Sequence, residues 1–231
     1  MALLDELVAL IAPPRCAVCA APSGGRACEI LCAACRRALP WLGADCCPRC
    51  ALPLPHTRGA HCPAAGAAFH SAWAAVAYDG AARDALIALK FSAARPLADV
   101  MAAQIAAGAA LDPRVALVAV PAHPRRRRAR GFDPAELIAA ALARRSGLPL
   151  VRPLRRGAGA SRQLGASRAA RRDAAGLDFR ARGTAPKRVV LVDDVHTTGA
   201  TLHACATALR RAGCRYIAAI TWARTLDERP R

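Results

Sequence analysis

Residues 189–202 read VVLVDDVHTTGATL. This stretch begins with a continuous apolar run, which is typical of a strand buried on both faces of a parallel sheet. Two adjacent carboxylates, Asp193 and Asp194, follow the apolar run, and a run rich in Thr and Gly comes next. A carboxylate pair at the end of a core strand destabilises a fold unless something binds it. The stretch therefore predicts a ligand site at the carboxyl end of a buried strand.

The segments on both sides of this stretch alternate between strand and helix patterns. Short apolar runs predict strands within residues 71–80, 115–121, 188–192 and 214–223. Apolar residues at helical spacing predict helices within residues 81–91, 98–110, 133–147 and 198–213. This alternation indicates an α/β fold in which helices cover both faces of a parallel sheet. Residues 149–186 show no strong period, so we predict a long mobile loop there, in which a hairpin could form.

The composition narrows the class of protein. The chain has 231 residues, and its apolar content of 55% excludes a disordered protein. Its formal net charge is +18. Such a charge favours polyanionic partners: nucleic acid, phosphorylated metabolites or an anionic membrane. The N-terminal stretch MALLDELVALIAP has Asp5 and Glu6 where a signal peptide is basic, and it is too short to span a bilayer. We expect an amphipathic helix there, no membrane span and a cytoplasmic location, where cysteines stay reduced.

Most of the cysteines lie near the N-terminus. Of the 11 cysteines, all but Cys205 and Cys214 fall between Cys16 and Cys62, and we assign those two later residues to packing. The sequences CAVC and CAAC each present two thiolates from one turn, and two such turns complete a tetrahedral zinc site. We predict a structural zinc ion held by Cys16, Cys19, Cys32 and Cys35. A short helix and a zinc ribbon are therefore expected in residues 1–66, and the α/β domain in residues 67–231.

A second metal site is less complete in the sequence. Cys47 and Cys50 form another C-x2-C pair, and Cys62 is a candidate third ligand. The fourth ligand would be His61 or His56, or it would be missing. Cys28 and Cys46 have no partner in this scheme. Zinc would supply much of the folding energy of so small a segment.

The residues after the two aspartates have the features of a phosphate site. Unpaired backbone amides and the helix dipole make a helix N-terminus attractive to phosphate. The amides that would serve here belong to Thr197, Thr198, Gly199, Ala200 and Thr201. The Asp pair lies about one sugar's length away and suits the hydroxyls of a ribose 5-phosphate. The alternative is that Asp194 caps a helix and Thr197 belongs to a turn.

This stretch resembles the 5-phosphoribosyl-1-pyrophosphate (PRPP) binding motif of type I phosphoribosyltransferases. The resemblance implies that Asp193 and Asp194 hold the ribose hydroxyls and that residues 197–201 hold the 5-phosphate. A wider resemblance includes the cysteine pairs, YDG, ALKF and VPAHPRRRRARGF, and it points to the ComF (GntX) family of competence proteins. Members of that family join an N-terminal zinc ribbon to a type I phosphoribosyltransferase-like domain, and several are linked to natural transformation.

The sequence HPRRRRARGF, residues 123–132, is the next most specific part of the resemblance. In the family it corresponds to the loop where the pyrophosphate end of PRPP would lie, near His123. Arginine side chains bind pyrophosphate well because their planar donors match its oxygens. The residues implied are Arg125, Arg126, Arg130 and Gly131. The alternative is a solvated basic run or a general nucleic-acid patch.

The chain departs from the family pattern at three places. Asp133 and Pro134 stand where Asn-Gln is usual, so a negative charge lies beside the proposed anion site. Ala174 stands where an Asn is usual, although Gln163, Arg171 and Phe179 keep the family spacing. Gly59 stands where many members have a cysteine, which points to an incomplete second zinc site.

The resemblance implies a displacement of pyrophosphate from C1 of the ribose, with Mg²⁺ bridging the pyrophosphate and the hydroxyls. Asp193 and Asp194 would stabilise the positive charge of the sugar in the transition state. Three functions remain open. The first is a PRPP-binding protein of DNA uptake that meets single-stranded DNA and uptake proteins, with or without turnover. The second is a metabolic phosphoribosyltransferase with a zinc ribbon, and the third is a non-catalytic nucleic-acid-binding adaptor.

Overall fold

A computed structural model describes residues 15–23, 30–55, 62–92, 94–157 and 177–226. A five-stranded sheet forms its centre, with the order β1-β7-β6-β2-β3, and every pairing between these strands is parallel. Its strands are β1 Ser71–Ala77, β2 Ala116–Ala119, β3 Leu150–Val151, β6 Arg188–His196 and β7 Tyr216–Arg224. Two further strands, β4 Leu154–Arg156 and β5 Phe179–Ala181, pair in an antiparallel hairpin. The predicted parallel α/β fold is confirmed.

Six helices accompany these strands in the described residues. They are α1 Ala33–Arg37, α2 Gly80–Phe91, α3 Leu97–Gly108, α4 Pro124–Arg130, α5 Pro134–Ser146 and α6 Ala200–Arg211. The start and stop signals of α5 act as predicted, because the Asp133 side chain accepts a hydrogen bond from the Ala135 amide and Gly147 is left-handed. No helix among the described residues is long and apolar enough to cross a membrane.

The central strand β6 is longer than its apolar run. It continues through both aspartates to His196, because residues 193–196 keep their parallel pairing with β7. Asp193 is the register partner of Thr221, and His196 is the register partner of Arg224. Both aspartates therefore belong to the last four residues of a paired strand and not to the turn that follows it. The pairing with β7 holds their backbone in place.

The basic run at residues 124–130 is a helix, whereas the sequence resemblance placed a loop there. Pro124 occupies its first turn, and Gly131 ends it in a left-handed conformation with φ 78°. The Nδ1 atom of His123 accepts a hydrogen bond from the Arg125 amide at 3.2 Å. With these start and stop signals, the arginine run forms a helix of seven residues, and none of its side chains is buried.

The segment 149–186 is also more ordered at its ends than the predicted mobile loop. It holds β3 and both strands of a hairpin, a structure considered above within the loop. Residues 158–176 lie outside the described part, and with them Gln163, Arg171 and Ala174.

Two apolar layers cover the two faces of the sheet. Val190 and Val192 belong to one layer, and Val189 and Leu191 belong to the other, as alternation along a strand requires. Helices α2, α3 and α5 contribute to the first layer, and α6 contributes to the second. Cys205 and Cys214 are buried in the second layer, so both have the packing role expected.

The N-terminal ribbon packs against the edge of this sheet. Residues 40–48 run along the free side of β1, where Trp41 forms an antiparallel bridge with Val76. The Leu42 amide donates to Ala75 O at 3.0 Å, and the Ala77 amide donates to Pro40 O at 2.8 Å. The ribbon therefore completes the hydrogen bonding of an edge strand.

Candidate functional site

The first cysteine cluster has the geometry of a zinc site. The sulfur atoms of Cys16, Cys19, Cys32 and Cys35 all lie within 4.8 Å of one another. Tetrahedral Zn–S bonds of about 2.3 Å give sulfur separations of about 3.8 Å. The Sγ atoms of Cys19 and Cys32 are 3.7 Å apart, which matches that separation. The four predicted ligands are thus together, and they fit a structural zinc ion.

Backbone amides stabilise the thiolate form in this cluster. The Cys32 amide donates to Cys16 Sγ at 3.4 Å, and the Cys35 amide donates to Cys32 Sγ at 3.4 Å. Burial acts to raise the pKa of Cys16, but amide hydrogen bonds led by that of Cys32 lower it to about 6. A thiolate is the form that binds zinc, so the backbone favours the metal-bound state.

The second cluster consists of three buried cysteines. The sulfur atoms of Cys47, Cys50 and Cys62 also lie within 4.8 Å of one another. Three thiolates fit a tetrahedral zinc ion that takes one further ligand. The two histidines considered for that position, His56 and His61, and also Gly59, lie outside the described residues.

The aspartates open into a cleft at the carboxyl edge of the sheet. Its volume is about 800 Å³, within the range of about 300–1,000 Å³ that is typical of ligand sites. It is lined by Asp193, Asp194, Thr197 and Thr201, which come from the end of β6 and the residues that follow it. The cleft is also lined by His123, Arg126, Arg130 and Asp133, which come from α4 and the residues on either side of it. Two parts of the sequence that were assigned separately to the sugar phosphate and to the pyrophosphate thus face one cleft.

The two adjacent aspartates differ in their surroundings. Burial, and then the neighbouring Asp194 carboxylate, raises the pKa of Asp193 well above its ordinary value. The Asp193 Oδ1 atom accepts a hydrogen bond from the Asp194 amide at 2.9 Å. Asp194 forms an ion pair with Lys90, whose Nζ lies 2.7 Å from Asp194 Oδ2. Lys90 is therefore a counter-ion already present at the site.

Asp133 has a structural role in the cleft wall. Its Oδ2 accepts from the Ala122 amide at 2.7 Å, and its Oδ1 accepts from the Ala135 amide at 3.1 Å. Burial raises its pKa, although these amide bonds oppose the rise. Asp133, the residue that differs from the family pattern, thus connects the segment after β2 to the start of α5. Both of its carboxylate oxygens already accept a hydrogen bond from a backbone amide.

The turn between β6 and α6 is sterically restricted. Gly199 is left-handed with φ 81°, and a Cβ atom added there would lie 2.8 Å from His196 Nε2. His196 is 2% exposed, and burial, followed by the charge of Arg224, lowers its pKa to about 3. Its Nδ1 atom has no hydrogen-bond partner among the described residues. Only glycine fits at position 199 while a neutral imidazole fills the space beneath it.

Several predicted residues lie beside the cleft without lining it. Arg125 is on α4 and Gly131 ends α4, but neither lines the cleft. Thr198 and Gly199 form the turn itself and Ala200 begins α6, and the Thr198 hydroxyl accepts from the Ala200 amide at 3.4 Å. The structure thus places the side chains of Arg126 and Arg130, and not that of Arg125, in the cleft wall.

Two cationic residues of the cleft were not among the predicted ones. Lys90 comes from α2, and Arg156 comes from β4, where its guanidinium lies 5.1 Å from the ring centroid of Phe179. Lys90 had a signal in the sequence, because Lys90 and Lys187 are the only lysines among many arginines. Arg156 had no such signal in the sequence, because it reaches the carboxyl edge of the sheet only through the β4–β5 hairpin.

Comparison with known families supports the N-terminal part of this description. The family model of the double zinc ribbon domain matches residues 7–66, a range that includes both cysteine clusters. The chain thus has a double zinc ribbon before its α/β sheet. A comparison with curated proteins finds no match.

Proposed function

We propose that the α/β domain binds PRPP, or a related ribose 5-phosphate, in the cleft at the carboxyl edge of the sheet. The observation that carries this proposal is that one cleft is lined by the acidic end of β6, by the turn that follows it (residues 197–199, called the phosphate turn below) and by the basic helix α4. Ligands of open parallel sheets bind at this edge. The PRPP motif and the competence-family resemblance supply the identity of the ligand.

The proposed assignment follows the chemistry of the two sides. The phosphate turn and the first two residues of α6, which together are residues 197–201, would hold the 5-phosphate through their amides and hydroxyls. The carboxylates of Asp193 and Asp194 would hold the ribose hydroxyls, with Lys90 released from or shared with Asp194. Arg126 and Arg130 would bind the pyrophosphate, with Arg125 and Gly131 supporting their helix.

Turnover at this site would be transfer of the phosphoribosyl group from pyrophosphate to a nucleophile at C1 of the ribose. The buried carboxylate pair would stabilise positive charge that develops on the sugar. Carboxylate oxygens are ligands that Mg²⁺ accepts, so both aspartates fit a metal that arrives with the pyrophosphate and neutralises its charge. The arginines of α4 would hold the leaving pyrophosphate.

We further propose a biological setting in DNA uptake, as the ComF (GntX) resemblance implies. The protein would act in the cytoplasm, with single-stranded DNA and uptake proteins as partners. The double ribbon and the net charge of +18 are compatible with polyanion binding. A metabolic phosphoribosyltransferase is the second candidate, because the Asp pair and the phosphate turn face a cleft of sufficient size. We assign residues 1–66 to the ribbon unit and residues 67–231 to the PRPP-binding unit.

Calorimetric titration with PRPP and Mg²⁺ tests the proposal. The wild-type protein should bind, and the double change Asp193→Asn with Asp194→Asn should abolish binding, because charge is lost while volume is kept. The pair Arg126→Ala and Arg130→Ala should weaken binding by about tenfold or more per lost charged hydrogen bond.

The control is the pair Arg127→Ala and Arg128→Ala, which removes the same charge from the same helix at residues that do not line the cleft. That control should bind PRPP nearly as well as wild type. Absence of PRPP binding by the wild-type protein would overturn the proposal. An equal loss of PRPP affinity in both double variants would show that α4 acts only through its overall charge.

A further inference from the structure

A buried arginine connects the ribbon to the phosphate turn. Arg224 ends β7 and is 4% exposed. Its Nε donates to Cys50 O at 2.9 Å, and its Nη1 donates to His196 O at 3.0 Å and to Thr197 O at 2.6 Å. Nη1 also lies 2.7 Å from Thr225 O. One planar group thus contacts carbonyls from the ribbon, from the end of β6 and from the phosphate turn.

These carbonyls belong to segments that are far apart in the sequence. Cys50 is a member of the second cysteine cluster, whose other members are Cys47 and Cys62. His196 is the last residue of β6, and Thr197 is the first residue of the turn. Arg224 is held in turn by the sheet, because Tyr78 N donates to Arg224 O at 2.7 Å and β7 pairs with both neighbours. The guanidinium is therefore held at a fixed position in the sheet, from which it contacts both the ribbon and the phosphate turn.

We propose that Arg224 is a positioning residue that couples metal binding in the second cysteine cluster to the conformation of the phosphate turn. With zinc bound, the Cys50 carbonyl stays where it accepts from Nε, and Nη1 stays on the carbonyls of the turn. When that metal is lost, Cys50 moves and the guanidinium follows or loses an acceptor. The turn then relaxes, and its affinity for a phosphorylated ligand falls.

The chemistry of arginine makes this coupling specific. A guanidinium stays charged and directs its donors in a rigid fork, so it contacts Cys50 O and Thr197 O at the same time. Lysine keeps the charge but concentrates its donors at one atom, and it cannot hold both carbonyls in the same geometry. A charge buried at this depth needs its acceptors, because an unsatisfied charged donor is strongly destabilising. Movement at one end is therefore transmitted to the other.

Hydrogen–deuterium exchange of the full-length, zinc-loaded protein tests the coupling without any ligand. In Arg224→Lys, amides of residues 195–202 should exchange about tenfold faster or more, as expected for the loss of one charge-assisted hydrogen bond. The matched control is Arg188→Lys. Arg188 begins β6 at the opposite edge of the sheet, where it pairs with Asp112 at 2.8 Å. It should leave exchange at residues 195–202 unchanged.

A second pair of variants tests the metal end. Cys62→Ser removes a ligand of the second cluster and should raise exchange at residues 195–202. Cys19→Ser removes a ligand of the first cluster, which Arg224 does not contact through any hydrogen bond described above, and it should not. In the Arg224→Lys background, Cys62→Ser should add little, because the connection is already broken.

The outcomes separate cleanly. Unchanged exchange in Arg224→Lys, an equal effect of Cys19→Ser and Cys62→Ser, or additive effects in the double variant would each overturn the coupling. If Cys62→Ser does not fold by circular dichroism, removal of zinc from the wild-type protein with a graded chelator replaces it, and unchanged exchange in the turn during loss of the second zinc overturns the coupling.

The nature of the ligand rests on the proposed function, and a separate titration decides it. If wild type binds PRPP with Mg²⁺, Arg224→Lys should raise Kd by about tenfold while Arg188→Lys leaves it unchanged. If wild type does not bind PRPP, the proposed function fails, and the exchange experiments still decide whether Arg224 couples the cluster to the turn.

Discussion

At the scale of single residues, the end of β6 concentrates groups that a core ordinarily avoids. His196 and Arg224 are both buried, and Asp193 keeps a carboxyl group beside a second one. Arg224 is satisfied by backbone carbonyls, whereas His196 remains neutral beneath the turn. Such groups are retained at a cost in stability, which is typical of a site that holds a ligand.

Replacement of Gly199 by alanine tests the close contact beneath the turn. Gly199→Ala and Gly147→Ala both place a side chain at positive φ, at a cost of about 1–2 kcal/mol each. Only Gly199→Ala also brings a Cβ to 2.8 Å from His196 Nε2, whereas Gly147 has nothing within 4 Å. We expect a further loss of about 1–3 kcal/mol from this crowding. Urea unfolding of both variants measures the difference, and equal losses would show that His196 moves aside freely.

His196 should also make stability depend on pH. Its folded pKa of about 3 lies below its ordinary value of 6.5, so the unfolded chain binds the proton more readily. Stability is therefore retained above pH 6.5 and falls as the pH drops from 6.5 towards 3. Between pH 7 and pH 5 the loss should be about 2 kcal/mol. Urea unfolding of His196→Leu at both pH values should lack this component, and an identical pH dependence in wild type and variant would contradict the assignment.

At the scale of elements, local sequence signals predicted correctly those helices and strands whose structure depends mainly on their own residues. The N-cap Asp133 and Gly147 defined α5, and the apolar run defined β6. The same reasoning missed that β6 continues through its aspartates, because pairing with β7 overrides the local polarity. It also missed Lys90, Arg156 and Arg224, since each reaches the site from a distant element.

The helix α4 provides a test of nucleic-acid binding. All its side chains are at least partly exposed, and Arg125 to Arg128 form one continuous basic run. If this run is the main contact for single-stranded DNA, replacing these four residues by Ala should flatten the plot of log K against log salt. Each lost phosphate contact should lower the slope by about 0.7.

The paired change Asp193→Asn with Asp194→Asn is the control for that experiment, and it should bind DNA at least as well as wild type because it removes negative charge. Fluorescence anisotropy at several salt concentrations measures both proteins. Affinity that does not respond to salt would contradict a phosphate-based contact.

At the scale of the whole molecule, the double ribbon spans both layers of the core. Cys16, Cys32 and Cys35 belong to the apolar layer of α3 and α5, whereas Cys47, Cys50 and Cys62 belong to the layer of α6. The strand-like segment 40–48 connects them along β1. The ribbon is thus packed into the α/β fold on both sides of the sheet.

Metal content should reflect both clusters. The purified protein should carry two zinc ions per chain, because each cluster brings at least three sulfur atoms together. Cys19→Ser and Cys62→Ser should each lower this content by one ion and reduce the melting temperature. Elemental analysis of metal-replete protein provides the count, and a wild-type protein without zinc would refute the ribbon assignment.

The contact between residues 40–48 and β1 has a consequence for synthesis. The ribbon leaves the ribosome before β1, so the partner for the exposed side of that strand already exists when the strand emerges. A bare strand edge in an incomplete chain readily pairs with other chains and aggregates. We therefore expect the ribbon to cover the edge of β1 during synthesis, and translation started at residue 67 should yield chains that accumulate in inclusion bodies.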